Sequence, residues 1–562
     1  MPTLLPDLAP PLLNGKSAMR NLFIASGISL LAASACTSAP APLPDPPVLT
    51  VTSPARSLIQ GAPGNVTVTG TVAPNPEGTP ITGVMVNDVA ATVGADGSFT
   101  ATVMVEAGAT LIHTEATDKA GGKADDTRSV EAGTAMTAGS MIPNAITTAI
   151  STQAFAKIST AAETLIKAED FSTLLAPYQP MLNTGGSCLG AKAYVDSLTM
   201  TDAHISLVPV VGGMQFSIEI DGLDTHAHAT YDVACIDGSD TFEITASSVT
   251  VTGTLAVTAN GMMGFTSTIQ NPNVDIQGLD VQASGLPGAI LDLIDMNSLI
   301  ASAAEKGAES FMPGMVNKVF GALGGPQKLN LLGQTIDVQV STSAVNFTAT
   351  EADITLNTMM LIEGTEKTGN FVSIGNGTPT LNANGGMQLG IASDLANELL
   401  AEVAATGLLN LKMPITGGSF DTTNISLTSP PMISADPSNG KLRLVIPDMM
   451  ATLTEQGTPV GQTAINASIE LTVVPTPNGQ GVALQLGTPT IAVDVVTDNF
   501  ANNTRLSNDD LSSATALVLD AQIKQISVLL GGIPIPALMG VQMSNLTIDG
   551  DEGYVMMSGT LQ

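Results

Sequence analysis

Apolar and polar positions alternate in short runs from residue 48 to about 132, as in Val66-Thr67-Val68-Thr69-Gly70, Val84-Met85-Val86-Asn87 and Ser98-Phe99-Thr100. Turn residues separate the runs. A period of two at this spacing predicts a seven-strand antiparallel sandwich. From about residue 134 the period lengthens. Ile146, Ile150, Ala154, Ile158, Ala161 and Leu165 recur every three or four positions, which predicts an amphipathic helix with one apolar stripe. Alternation returns from about 192 to 285, clearest at Met214, Phe216, Ile218 and Ile220 and again at Val249, Val251, Leu255 and Val257. A second helical region, about 288 to 323, carries Leu299, Ile300, Met312, Val316, Val319, Phe320 and Leu323, and Pro313-Gly314 is expected to interrupt it.

A second round follows Gly324-Gly325-Pro326. Strands are expected over about 329 to 391. Ser393 then reads as the cap of a helix with Leu395, Leu399, Leu400 and Val403 on one face, ended by Gly407. More strands fill about 411 to 498. A last helix, about 508 to 530, carries Leu519, Ile523, Ile526 and Leu530, and two closing strands cover 541 to 548 and 553 to 561. The fold class this predicts is mainly β with long helices (α+β). Helix and long sheet occur twice, over 134–325 and 326–562, as a repeat of architecture and not of sequence.

The 36 residues at the start follow another grammar. Arg20 precedes the apolar run Leu22 to Ala32, and Ala33-Ser34-Ala35-Cys36 follows. That order resembles a bacterial lipobox, in which the cysteine is acylated and becomes the first residue of the mature chain; Ala33 stands where Leu is usual. The resemblance implies an exported lipoprotein with a signal segment over 1–36, translation starting at Met19, and a membrane anchor on Cys36. Thr37 in place of Asp points to the outer membrane. The apolar run is too short for a spanning helix, which needs about 20 residues. Residues 37–47 (TSAPAPLPDPP) read as an extended tether.

Composition narrows the function. Acidic residues outnumber basic ones 50 to 18 in the 562 residues, for a formal charge of −32, which argues against any nucleic-acid partner. Trp is absent and Tyr numbers four, so an aromatic sugar-binding platform is disfavoured. The apolar excess is aliphatic, with 25 Met. It suits large sheet interiors or an acyl-chain cavity. With Cys36 taken by lipid, Cys188 and Cys235 remain as an even pair in an oxidising compartment, either bridged or as buried thiols.

Two resemblances to known families add to this. The pattern VTVTGTV…VMVND…DGSFTATV…EATDKAGG over 48–132 looks like bacterial immunoglobulin-like modules, including the B-type domain found beside some glucan hydrolases. Such modules mostly act as spacers. MQLGIASDLANELLAEVAATGLLNLKM (387–413) and VLLGGIPIPALMGVQMSNLTIDGDEGYVMMSGTL (528–561) resemble the tubular lipid-binding superfamily of bactericidal/permeability-increasing, lipopolysaccharide-binding and cholesteryl-ester-transfer proteins. That resemblance implies a two-lobed tubular body of twisted sheets wrapped on helices, with an apolar tunnel in each lobe and one disulfide in the N-terminal half. The basic surface of the lipopolysaccharide binders is missing here, so a neutral lipid or a phospholipid held by its tails fits better.

The expected ligand is therefore a lipid or other apolar small molecule. Its pocket is expected along the helix stripes: Ile146, Ile150, Ile158, Leu165, Leu299, Val316 and Phe320 in the first lobe, and Leu395, Leu399, Val403, Leu519, Ile523 and Ile526 in the second. No cofactor is called for. His226 and His228 share a strand face, with His204, Asp221, Asp224 and Asp232 near in sequence, but the spacing is not that of a metal site. Asp96, Asp118 and Asp125 are better explained by turns than by calcium. Gly-x-Ser-x-Gly, Walker, Rossmann and His-Glu-x-x-His motifs are all missing from the chain, so an enzyme is not expected. The rival expectation is a surface adhesin or structural spacer without a ligand cavity.

Overall fold

The computed structural model describes residues 45–261, 264–283, 285–324, 327–331, 334–363, 369–414, 422–435, 441–475, 481–498, 523, 526, 533–534, 542–551 and 553–562. Cys36 and Leu519 lie outside the described residues, as do residues 1–44 as a whole. The fold is mainly β, with several sheets and few helices.

The alternating run near the start forms two facing sheets. Val48–Ser53, Gly64–Ala73, Ser98–Val105 and Thr92–Val93 make one. Leu58–Gln60, Lys123–Ala132, Gly108–Asp118, Ile81–Val86 and Val89–Ala90 make the other. Alternate residues point inward, so Val66, Val68 and Val72 meet Phe99, Ala101, Val103 and Val105 in one core. Gly70 is obligatory there: a Cβ at that position would sit 2.6 Å from the Phe99 ring.

Three large sheets follow, with a two-stranded one, Thr134–Thr137 paired with Asn370–Ser373, beside them. The first runs Leu182–Gly186, Leu189–Thr199, Gly213–Val233, Ile236–Ala259, Phe265–Gln277, with Asp202–Val210 and Asp280–Gln282 pairing onto it. The middle sheet runs Gln327–Leu331, Gln334–Phe347, Glu351–Ile362, Ile142–Ser151, Met387–Ala392, Tyr554–Leu561, Met543–Asp551. The last runs Leu411–Pro414, Thr422–Ser426, Leu442–Glu455, Thr458–Pro475, Gly481–Asp498, Ile533–Pro534, with Met432–Ala435 beside the third of these. The longest strands, 21 and 24 residues, pair as Gly213–Val233 with Ile236–Ala259.

Helices α1 (Thr152–Ala168), α2 (Phe171–Leu175), α3 (Gly288–Leu291) and α4 (Met296–Gly324) share the core of the first sheet, and α5 (Ser393–Ala405) borders the last. Helix α1 begins where the Ser151 side chain accepts the Ala154 N–H. Its buried face carries Phe155, Ile158, Ala162 and Ile166. It also covers the open edge of strand Asp202–Val210: the Leu207 N–H donates to Ser159 Oγ at 3.0 Å and the Ile205 N–H to Glu163 at 3.4 Å. Among the described residues, no helix is long and apolar enough to cross a membrane.

Several expectations are corrected. Ile146 and Ile150 lie on strand Ile142–Ser151 and not on a helix. Pro313 does not interrupt the second helical region, because α4 is one helix of 29 residues with Pro313 inside it. Buried Met312, Met315 and Val316 on either side hold it to the sheet. Ser393 is not a cap. Ala392 occupies that position, and the buried Ser393 hydroxyl bonds nothing among the described residues. Gly407, at φ +78°, does follow the helix end.

Candidate functional site

An apolar slot lies between α4 and the first sheet. Ile218, Ile220, Leu223, Val249 and Val251 form its floor, joined by Leu198. Ile166 of α1 and Phe171 of α2 close one side. The roof is α4, which presents Ile300, Phe311 and the small residues Ala303, Ala304, Gly307 and Ala308. No charged or polar side chain lines it. Strand alternation aims the floor residues inward, while the spacing of 300, 303, 304, 307, 308 and 311 keeps the roof on one helix face. A Cβ on Gly307 would lie 3.3 Å from the Phe171 ring, so the slot owes its width to that glycine.

The void is about 20 Å³, room for roughly one water. In this form the slot is too small to hold an acyl chain. Beyond Pro313, aromatic side chains fill the interior. Phe320 of α4 stands 6.5 Å edge-on to Phe155 and 5.4 Å from Phe265, and Phe155 lies 6.4 Å from Phe347.

The expected lining residues distribute accordingly. Ile158, Leu299, Val316 and Phe320 are buried in the core that surrounds the slot, as is Ile150, with Ile146 and Leu165 packed on its margin. The slot takes their neighbours Ile166 and Ile300 instead. Leu399, Val403 and Ile526 belong to the core of the last sheet, with Leu395 and Ile523 packed against it. Cys188 and Cys235 form a disulfide joining two hairpin turns of the first sheet.

His226 and His228 share the outer face of their strand and do not converge with a third ligand. His228 Nδ1 is 2.8 Å from Asp196, and its ring stacks on Tyr194 at 4.7 Å. Asp96 accepts from Ser98 and Asp118 from Ala120 and Gly122, both as turn contacts. Among the described residues, His113, Glu115 and Asp125 are close enough to share an ion, but Lys123 already bridges both Glu115 oxygens at 2.9 Å.

Two polar clusters went unread in the sequence. Asp394, Glu398 and Glu402 are buried along one face of α5. Burial pushes Glu398 up to about 8, even though the Gly139 N–H donates to it at 2.9 Å, and it raises Asp394 and Glu402 as well. Their spacing of four, one position ahead of Leu395, Leu399 and Val403, was the available signal.

The second cluster joins the sandwich to the last sheet. Arg56 donates to Asp448 at 2.9 Å, Asp494 at 3.3 Å and Asp126 at 3.0 Å. Asp448 accepts from Ser57 N, Ser129 N and Ser129 Oγ at 2.7 to 3.0 Å. Asn466 donates to Thr127 O and Asp448, and Thr127 N–H donates to Asp494. A module expected to be a spacer is thus fastened to its neighbour by buried contacts.

Comparison with known proteins gives a family for one part of the chain. Residues 47–134 match the family model described as glucodextranase, domain B. No curated protein matches. Among solved structures, the crystal structure of lipopolysaccharide binding protein is similar at 15% identity and TM-score 0.38, over 75% of this chain and 99% of that one. P47 of Clostridium botulinum E1 (8% identity, TM-score 0.28) and P47 from Clostridium botulinum A2 (10%, 0.25) each align over 75% of this chain. They cover 100% and 98% of their own lengths.

Proposed function

We propose that this chain is a non-enzymatic lipid-binding protein that receives one slender acyl chain between α4 and the first sheet. In this reading the body is a two-lobed tube, exported and anchored through lipid on Cys36. The observation that supports it is the composition of the slot: a wholly apolar lining in which four successive roof positions are Ala or Gly. An apolar slot rewards an apolar occupant by about 0.8 kcal/mol per buried methylene. The closed form sets a condition. Since the void holds only about one water, α4 must lift for a chain to enter. Lifting its N-terminal half would part Phe311 from Phe171, whose rings lie 6.5 Å apart, and Pro313 would let that half move separately from the Phe320 end.

Organic extraction of the purified protein followed by mass spectrometry tests this, together with titration by a fluorescent fatty acid. Stoichiometric lipid or saturable binding is expected, and Gly307→Leu should weaken binding at least tenfold by filling the slot. Absence of both lipid and saturable binding removes the proposal; undiminished binding by Gly307→Leu moves the site elsewhere.

A further inference from the structure

The junction between the sandwich and the last sheet holds more negative charge than its cations neutralise. Strand Lys123–Ala132 packs across Leu442–Glu455, Thr458–Pro475 and Gly481–Asp498. From the sandwich side come Arg56, Asp126, Arg128 and Glu131; from the last sheet come Arg443, Asp448 and Asp494. Arg128 is directed to Asp126 at 2.8 Å, and Arg443 donates to the Ala109 carbonyl at 2.6 Å. Arg56 is left to serve Asp126, Asp448 and Asp494 together. Glu131 is buried beside Ser429, with one carboxyl oxygen unpartnered among the described residues. His113 and Asp125 lie at the margin, where the His113 ring meets the Thr127 hydroxyl at 3.1 Å.

The backbone is shaped around this cluster. The pairing of Leu442–Glu455 with its neighbour slips between Ile446 and Met449, and Asp448 sits at that bulge with φ +35°. A bulge re-aims a side chain, here toward Ser57, Ser129 and Arg56.

We infer that the immunoglobulin-like module is a proton-dependent clamp on the last sheet: docking takes up protons at Glu131 and Asp494, and the module loosens as they leave. Burial is the main cause holding both groups up at about 7 when docked, against ordinary values of 4.5 and 3.8 for exposed groups. The docked state therefore binds more protons than the undocked one. Docking is strongest below about pH 4, weakens as pH rises, and levels off above about 7. Each carboxyl contributes at most about tenfold per pH unit in that window. This inference stands apart from the lipid reading and needs no ligand.

Hydrogen exchange on the intact protein tests it, since the Thr127 and Ser129 amides donate across the junction to Asp494 and Asp448. After correction for intrinsic rates, protection of Lys123–Ala132 should fall at least tenfold between pH 5.5 and 7.5, while residues 214–220 of the first sheet keep theirs. The double variant Glu131→Gln, Asp494→Asn should lose that dependence, and each single variant should lose about half of it. Unchanged protection of 123–132 across the pH range overturns the clamp, and so does an equal loss in the first sheet. If the double variant does not fold, the wild-type series and the single variants decide the matter.

Discussion

Glu398 shows at one residue how burial sets a pH response. Its carboxyl, fully buried on α5, is held at about 8 chiefly by burial. A group whose folded value is raised gives stability that is complete below its unfolded value, near 4.5, and is lost as pH rises through about 8. Glu398→Gln keeps an acceptor for the Gly139 N–H and has no proton to lose. Urea melts should find variant and wild type similar at pH 5, and the variant more stable by a few kcal/mol at pH 8.5. The remaining slope belongs to the other raised carboxyls, among them Asp394, Glu402, Glu131 and Asp494, so it should shrink and not vanish. Gly307 is the matching case for shape, since one missing Cβ opposite Phe171 defines the width of the slot.

At the scale of elements, the proposed entry of an acyl chain requires the N-terminal half of α4 to lift at Pro313. Pro313 has no N–H to give the preceding turn, and an interior proline costs a helix about 3 kcal/mol. Pro313→Ala should raise hydrogen-exchange protection in residues 296–312 and slow uptake of a fluorescent fatty acid, with little change at 315–320. Equal protection in both proteins would remove Pro313 as the hinge. The same elements show what sequence pattern could and could not disclose. Met214, Phe216, Ile218 and Ile220 alternate over a long strand, and a period of two was legible at once. Ile146 and Ile150 misled because a spacing of four puts residues on one face of a strand as well as of a helix. The Pro313-Gly314 break was read from propensity, which the packing of Met312, Met315 and Val316 overrode. The slot shifted to Ile166 and Ile300 because a stripe says which face is apolar, not where the packing leaves room.

At the scale of the whole molecule, the sandwich and the last sheet depend on each other. No local pattern announced this, since Arg56 meets partners 392 and 438 positions away. Removing Arg56 leaves Asp448 buried without its cation, a loss that typically costs about 3 to 5 kcal/mol. Arg56→Ala should lower the unfolding free energy taken from urea melts by that amount, and a module acting only as a spacer would produce no such change. Cutting out residues 48–132 should also destabilise the last sheet, because it uncovers Met432 and Val445, which pack on Ala109 of the sandwich.

Strand Ile142–Ser151 carries a consequence for how the protein is made. Both its sheet neighbours, Glu351–Ile362 and Met387–Ala392, emerge long after it, and the Asn144 N–H waits for Asn357, 213 positions downstream. During synthesis from the N-terminus this β-forming segment must stay unpaired while most of the polypeptide is still to come. Such a chain should fold slowly and only near completion, with an early sticky edge that a chaperone would need to shield.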